Sequence, residues 1–263
     1  MKMTKKANHK DQYFGFLVKA LEDVENVDSE LIREKCAVLR EKLGSLYPLK
    51  NNEFEELIVD LEGFHSIRKS EISVVQGETI NYWIPDDFDF PRWERYQRWK
   101  TMTNPHFPIA DLHHQTKLIL NHCVDPTTKE AWEVKGLVVG QVQSGKTANY
   151  VGLINRALDA GYKVVIVLAG IHNSLREQTQ GRIDSGVIGR ESTDFVLNSS
   201  SHSWIGVGEL DQSHAVQCLT SKPYRTNPNS KKKVGGDFNK KMARGQNTHI
   251  GGEDPWIFVI KKN

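Results

Sequence analysis

The feature that most constrains this chain is an eight-residue loop, Gly140-Gln141-Val142-Gln143-Ser144-Gly145-Lys146-Thr147. It fits the pattern G-x-x-x-x-G-K-[ST]. The two glycines permit the backbone angles of a tight turn, and such a turn directs successive backbone N–H groups toward one point, where they can bind an anion. The pattern therefore predicts a loop that binds the phosphates of ATP or GTP.

Each of the last residues of this loop has an expected role. Lys146 places a point charge between the β- and γ-phosphates, and the Thr147 hydroxyl ligates the Mg²⁺ that bridges them. A helix expected to begin at about Lys146, with Ala148 in its first turn, adds free N–H groups and the positive end of its dipole. We therefore expect residues 140–148 to bind nucleotide, with Lys146 and Thr147 catalytic and Thr147 the metal ligand.

The flanking sequence predicts an α/β fold. Gly136–Val139 is a short apolar run typical of strands buried in parallel sheets. A helix is expected over Ala148–Ala160, stopped by Gly161, and Lys163–Leu168 reads as a second buried strand. Strand, loop, helix and strand in this order are the context that the motif requires. With a later strand at Pro255–Ile260, the pattern predicts a RecA-like P-loop parallel sheet.

The sequence before this sheet predicts a mainly helical N-terminal region, so we expect two domains, 1–105 and 106–263. A frayed tail of 10 residues precedes three amphipathic helices. Their apolar faces begin near Phe14, Ile32 and Phe54. Asp28 or Ser29 is expected to cap the second helix and Asn52 the third.

The end of the N-terminal region is harder to interpret. Strands are predicted at Ile72–Val75 and Ile80–Ile84, followed by a helix over Pro91–Lys100 that begins with proline. This helix alternates arginines with Trp93, Tyr96 and Trp99. The aromatic side chains either pack in the core, leaving the arginines solvated, or stack on nucleic-acid bases.

Beyond the second strand, a helix is predicted over Ser174–Ile183, with Ser174 and Glu177 forming a capping box. Its N-terminus would lie at the carboxyl edge of the sheet, where ligands bind. Polar side chains there could hold the phosphates of a nucleic-acid strand, namely Asn173, Arg176, Gln178 and Arg182. The alternative is an ordinary capped helix with surface polar residues.

Charge is unevenly distributed along the chain. Residues 1–130 carry 18 Lys and Arg against 22 Asp and Glu, whereas residues 131–263 carry 17 against 11. Residues 221–246 alone contain eight Lys or Arg and the single acid Asp237. We expect this segment to be a disordered or ligand-ordered loop, with residues 222–244 facing a polyanion, although its charges could equally serve solubility.

Composition indicates the expected cellular location and the state of the cysteines. Hydrophobic residues make up 38% of the chain, and no apolar run approaches the roughly 20 residues that cross a bilayer. The N-terminus lacks the apolar stretch of a secretory signal, so a cytoplasmic protein with no membrane partner is expected. Cys36, Cys123 and Cys218 show no CxxC spacing, which indicates reduced, buried or partly buried thiols.

One stretch resembles a known family. GLVVGQVQSGKTANYVGLINRALDAGYKVVIVLAGIHNSLREQTQGRID, from Gly136 to Asp184, and VIKKN at 259–263 are similar to the Z1-domain proteins, described as endonucleases of bacterial restriction and defence loci. These resemble superfamily 2 helicases. The resemblance implies an ATP-dependent, helicase-like enzyme acting on DNA, an endonuclease or translocase of anti-phage defence, with ATP and Mg²⁺ as cofactors and other defence proteins as possible partners.

The same resemblance implies two further roles. Leu175 and Gln178 fit the LxxQ spacing of motif Ia in superfamily 2 helicases, and Gln115 stands where many of these proteins have a glutamine that contacts adenine. An ordinary surface glutamine is the alternative for Gln115. His113 and His114 beside it lack further ligands at suitable spacing, so no metal site is predicted there.

The family continues beyond VIKKN to an acidic Walker B motif and a second lobe, whereas this sequence ends at Asn263. We therefore expect an incomplete first motor lobe that binds nucleotide weakly and hydrolyses it poorly. A nucleotide-gated binding or assembly subunit of a defence complex, without motor or nuclease activity, is the alternative function.

Overall fold

The structure is a computed structural model that describes residues 9–24, 27–69, 82–105, 107–139, 146–193, 203–224, 236–238 and 252–262. These residues form a mainly helical α/β protein with a three-stranded parallel sheet, which confirms the α/β class. The predicted N-terminal tail lies outside the described residues up to residue 8, and the first helix already includes His9 and Lys10.

The helices and strands follow the chain in this order: α1 His9–Ala20, α2 Ser29–Leu43, α3 Asn51–Lys69, α4 Pro91–Thr103, α5 Ile109–Asn121, α6 Lys146–Asp159, β1 Val164–Leu168, α7 Asn173–Ile183, a π-helix Asp184–Ile188, a 3₁₀ helix Gly206–Glu209, β2 Gln217–Cys218 and β3 Trp256–Ile260. Within the described ranges, every helix is too short or too polar to cross a bilayer. All three cysteines are free thiols, with Cys36 and Cys218 buried and Cys123 partly buried, as predicted.

The chain divides into two compact units. The first comprises residues 1–77, 100–115 and 137–148, and the second comprises residues 78–99, 116–136 and 149–263. Each unit includes residues from both sides of residue 105, and the division into domains 1–105 and 106–263 stays a prediction. All six tryptophans of the sequence belong to the second unit, and their fluorescence therefore reports on that unit.

The first unit contains the predicted three-helix bundle of α1, α2 and α3. Its core consists of the apolar positions that recur at helical spacing in the sequence, including Phe14, Leu17, Leu21, Ile32, Leu57, Ile58 and Leu61. The predicted cap of α2 is confirmed, because Asp28 accepts a hydrogen bond from the Leu31 N–H at 2.8 Å.

The predicted cap of α3 is wrong. The helix begins at Asn51, so Asn52 lies inside it. The Lys50 N–H just before the helix instead donates to the Glu53 carboxylate at 2.9 Å. A glutamate at this distance into a helix can bond back to the residue that precedes the first turn, and it satisfies an N–H that would otherwise lack a partner.

The sheet of the second unit has the order β1-β3-β2, with every pair parallel. Val164 of β1 is in register with Trp256 of β3, and Gln217 of β2 is in register with the same Trp256. β3 is central, and Trp256 to Val259 are buried. The strand predicted at Pro255–Ile260 is therefore confirmed as a buried strand.

The other two predicted apolar strands differ from expectation. β1 forms, but it is an edge strand of the described sheet, and Val164, Ile166 and Leu168 are 42%, 58% and 63% exposed. Gly136–Val139 forms no strand, and Leu137 and Val139 are 87% and 85% exposed. The prediction of burial is wrong at both places because an apolar run shows a tendency to be buried but does not supply the neighbouring strand that buries it.

The predictions for α4 and for the region before it are confirmed in part. Ile72–Val75, Ile80 and Asn81 lie outside the described residues, and Tyr82 to Ile84 form no strand, so the predicted strand is wrong at its end. α4 begins with Pro91 as predicted. Trp93 and Tyr96 are buried and Trp99 is half-buried, which supports the core interpretation of these aromatic side chains.

Buried charge fixes α4 to α6 within the second unit. Asp159, at the end of α6, accepts hydrogen bonds from the backbone N–H groups of Arg92 at 3.2 Å and Trp93 at 3.0 Å, and it forms an ion pair with the Arg92 side chain at 3.2 Å. A carboxylate at the start of α4 also interacts favourably with the helix dipole. Burial raises the pKa of Asp159, while these hydrogen bonds and the Arg92 charge oppose the rise.

Two more arginines are buried here. Arg156 of α6 stacks on the rings of Phe90 and Trp93, at 4.6 and 4.3 Å from their centroids, and its Nε donates to Thr116 Oγ1 at 2.9 Å. Arg95 of α4 donates to the carbonyl oxygens of Val187 at 2.7 Å and Asp211 at 3.0 Å. The expectation that the arginines of α4 are solvated is therefore wrong for Arg95.

Gly186 of the π-helix packs against α6 and α4. A Cβ atom at this position would lie 2.7 Å from Val151 Cγ1 and 3.3 Å from Tyr96 Cε2. Both neighbours belong to the buried core, so they have little freedom to move. The absence of a side chain at Gly186 is therefore a condition for this packing.

We predict that Gly186→Ala destabilises the second unit by about 1–3 kcal/mol through overpacking. Gly181→Ala is the matched control, because a Cβ there would meet only the flexible end of Lys222. We expect it to stay within about 1 kcal/mol of wild type, since the helix gains propensity. Urea unfolding followed by tryptophan fluorescence measures both changes, and equal effects of the two substitutions would contradict the packing argument.

Candidate functional site

The candidate nucleotide site lies at the start of α6. Gly140 to Gly145 lie outside the described residues, and the helix begins at Lys146, as the motif predicts. Thr147 is half-buried and Ala148 is buried. The second glycine of the motif therefore directly precedes a helix N-terminus, where backbone N–H groups without acceptors inside the helix favour an anion.

The rest of α6 is firmly held. Val151, Ile154 and Leu158 are buried on one face, as predicted. Gly161 ends the helix with φ of +103°, a conformation that favours glycine, and its N–H donates to the Leu158 carbonyl at 3.2 Å.

Asn155 is a residue of α6 that the sequence argument missed. It is fully buried, and its Nδ2 donates to the carbonyl oxygens of Val151 at 2.9 Å and Gly186 at 3.0 Å. The first acceptor is in α6 itself and the second is in the π-helix. Asn155 therefore joins the helix that begins at Lys146 to the π-helix.

Gln115 of α5 is 6% exposed, so the alternative of an ordinary surface glutamine is wrong. His113 and His114 beside it are exposed. A contact of Gln115 with adenine stays a prediction.

Of the four candidate nucleic-acid residues, three are exposed and one is buried. α7 begins shortly after the carboxyl end of β1, and Asn173, Gln178 and Arg182 are exposed on it. The predicted capping box is wrong, because the helix starts at Asn173 and Ser174 lies inside it. His172 precedes the helix and makes no side-chain hydrogen bond to it.

Arg176 lies elsewhere than expected. It is 3% exposed, and its guanidinium donates to the carbonyl oxygens of Ser221 at 2.9 Å and Val259 at 3.5 Å. It thus ties α7 to β3 and to the residues after β2. Arg176, Gln180 and Ile183 lie at helical spacing and are all buried, but two of them are polar, so the apolar pattern of the sequence does not indicate this buried face.

A buried polar cluster surrounds Asp184 at the start of the π-helix. Its carboxylate accepts hydrogen bonds from Gln180 Nε2 at 2.9 Å and from the Ser192 hydroxyl and N–H at 2.8 and 3.3 Å. Gln180 Nε2 also lies 3.6 Å from Cys218 Sγ. Burial raises the pKa of Asp184 to about 6, although the hydrogen bonds oppose the rise.

The basic segment after β2 is packed where it is described. The Ser221 N–H donates to the Gly236 carbonyl at 2.9 Å, and the Asp237 carboxylate accepts from the Lys261 N–H at 3.1 Å. Phe238 makes an edge contact with Phe258 of β3. The expectation of an unpacked loop is therefore wrong for residues 221 and 236–238, while residues 225–235 and 239–251 lie outside the described residues.

Comparison with known proteins adds no family assignment: no family model, no curated protein and no solved structure matches this chain. In the part of the chain that the structure describes, no three His, Cys, Asp or Glu side chains are grouped as a metal site. The interpretation of the site therefore depends on the residues themselves.

We predict that Asp184 makes stability depend on pH. Its pKa is about 6 in the folded state and near 4 when unfolded, so the folded protein takes up a proton as pH falls through this window. Stability should therefore rise by up to about 2–3 kcal/mol between pH about 7.5 and about 4. Asp184→Asn should lack this contribution, and urea titrations of both proteins by tryptophan fluorescence give the difference. A difference independent of pH would contradict the assignment.

Proposed function

We propose that this chain is the ATP-binding part of an ATP-dependent, helicase-like enzyme that processes DNA. One observation carries the proposal: the sequence Gly140 to Thr147 ends where α6 begins, with Lys146 as the first helical residue. The motif and the helix N-terminus together favour phosphate binding, which requires convergent N–H groups and a positive charge.

The architecture of the second unit supports the proposal. Its parallel sheet, with α6 before β1 and α7 after it, is compatible with a RecA-like P-loop fold. In open parallel sheets, ligands bind beyond the carboxyl ends of the strands. α7 begins at that end of β1, so its exposed polar residues are candidates for contacts with a second ligand.

In this proposal each residue of the site has a defined task. The backbone N–H groups of residues 140–145 would bind the phosphates, the Lys146 ammonium would balance the charge of the β- and γ-phosphates, and the Thr147 hydroxyl would be a ligand of Mg²⁺. Hydrolysis also needs an acid that positions metal or water. β1 is followed by Ala169 and β3 by Lys261, so neither strand ends in such an acid.

DNA is the proposed second ligand. Asn173, Gln178 and Arg182 are exposed on α7, and the second half of the chain has an excess of basic residues. Exposed basic and amide groups are the usual partners of phosphate oxygens in nucleic-acid strands. From the resemblance of residues 136–184 to Z1-domain proteins, we also propose that the enzyme acts in bacterial anti-phage defence and is located in the cytoplasm.

We predict that Lys146→Ala weakens binding of a fluorescent ATP analogue with Mg²⁺ by about tenfold or more, because a charge-assisted contact to phosphate is lost. Lys135→Ala is the control, since Lys135 is an exposed lysine that pairs with Glu133. Fluorescence anisotropy measures the dissociation constants. If Lys146→Ala folds and binds as wild type does, the nucleotide site is not at this loop.

We also predict that Arg182→Ala weakens binding to a short fluorescein-labelled DNA duplex and lowers the slope of log K against log salt by about one. Arg98→Ala on α4 is the control, because Arg98 is an exposed arginine outside the candidate site. Equal effects of the two substitutions would show that α7 is not the DNA-binding element.

A further inference from the structure

The outer edge of β1 is able to pair with another strand. The inner edge of β1 is bonded to β3, where the Lys163 carbonyl just before β1 accepts a hydrogen bond from the Trp256 N–H at 2.8 Å. The backbone groups of successive residues in such a strand point alternately to its two sides. The N–H and C=O groups of Val164, Ile166 and Leu168 therefore point to the outer edge, where no strand of the described residues pairs with them.

The composition of β1 leaves this edge unprotected. Natural edge strands usually carry a charged side chain, a proline or a bulge that prevents pairing with another chain. β1 has the sequence VVIVL, which contains no charge and no proline, and its register with β3 runs without a bulge from Val164 to Leu168. The side chains of Val164, Ile166 and Leu168 are also exposed. An apolar, open edge of this kind is a template for main-chain hydrogen bonds with a further strand.

The strand that fits this edge is a second copy of β1. When two copies run antiparallel with Ile166 opposite the Ile166 of the second copy, Val164 of each copy lies opposite Leu168 of the other. This register brings the outward-pointing backbone groups of both strands together and uses all five residues of each strand. A slip by one residue would place these groups opposite residues whose N–H and C=O are bonded to β3.

Charge and size are compatible with this pairing. Lys163 precedes β1, so in the antiparallel arrangement the two Lys163 side chains lie at opposite ends and their like charges do not meet. All cross-strand pairs consist of valine, isoleucine and leucine, which pack well on a pleated surface. Five residue pairs form an interface at or below the lower end of the roughly 1,200–2,000 Å² typical of stable complexes. Pairing is therefore expected to be weak and to depend on protein concentration.

We propose that this chain forms a two-fold symmetric dimer in which the β1 strands of two copies pair antiparallel about Ile166. The two described sheets, each of the order β1-β3-β2, then become one continuous sheet across the dimer. An interface that uses the same patch of both copies is closed, so association stops at two chains. The dimer involves the second unit and requires neither nucleotide nor DNA.

Sedimentation equilibrium of the full chain, from low to high micromolar protein, tests the proposal. We expect the average mass to rise from that of one chain toward that of two. Ile166→Lys places two like charges directly opposite each other and should raise the dissociation constant of the dimer by about tenfold or more. Val59→Lys on α3 is the matched control, because Val59 is 55% exposed and Ile166 is 58% exposed, and it should dimerise as wild type does.

Cysteine cross-linking tests the register. In a Cys123→Ser background, which removes the thiol that is only partly buried, Ile166→Cys would bring two Cα atoms to about 5.5 Å, within reach of a disulfide. Val164→Cys is the control, since the two introduced thiols would be more than about 10 Å apart. Oxidised glutathione should therefore cross-link Ile166→Cys into dimers at least about tenfold more than Val164→Cys.

Three results would overturn the inference. The first is a chain that stays monomeric at every concentration, which would leave the edge to a different partner. The second is a dimer that Ile166→Lys and Val59→Lys weaken equally. The third is equal cross-linking of the two cysteine variants. If Ile166→Lys does not fold, the comparison of the cysteine variants decides, because both keep β1 free of charge.

Discussion

The second unit depends on the carboxylate of Asp159, which joins the end of α6 to the start of α4. It accepts hydrogen bonds from two backbone N–H groups of α4 and forms an ion pair with Arg92. With α4 fixed in this way, Arg95 reaches the π-helix and Trp93 covers Arg156. The helix that carries the candidate nucleotide site is thus anchored at its far end.

Burial of these charges carries an energetic cost. Burial lowers the pKa of Arg95 and of Arg156 to about 10, and it raises the pKa of Asp159. The charged groups remain tolerable because each is bonded to carbonyl oxygens, N–H groups, a hydroxyl or aromatic rings. Hydrogen bonds have preferred directions, so they specify how α4, α6 and the π-helix are oriented. Apolar contacts alone would define these orientations less uniquely.

The sequence predicted well what local pattern determines. Local sequence patterns located α1 to α4, α6 and α7, Asp28 was recognisable as a cap, Gly161 as a helix stop, and the apolar run before Lys261 as the buried strand β3. The predictions failed where the structure of a segment depends on a neighbouring strand. The apolar run 136–139 has no strand beside it among the described residues, and the exposed face of β1 follows from its place at the sheet edge.

The same distinction applies to the site. The motif placed the start of α6 at Lys146, because the loop and the helix are encoded in contiguous residues. Arg176 and Asn155 bond to elements distant in the sequence, and polar side chains there resemble surface residues when the sequence is read alone.

Amide NMR of the wild-type chain during titration with Mg²⁺ and ATP tests the central claim most directly. Phosphate binding at the P-loop predicts the largest chemical-shift changes at the backbone N–H groups of residues 140–148, with saturation at one nucleotide per chain. No saturable change, or changes centred on residues outside this loop and the start of α6, would contradict the account.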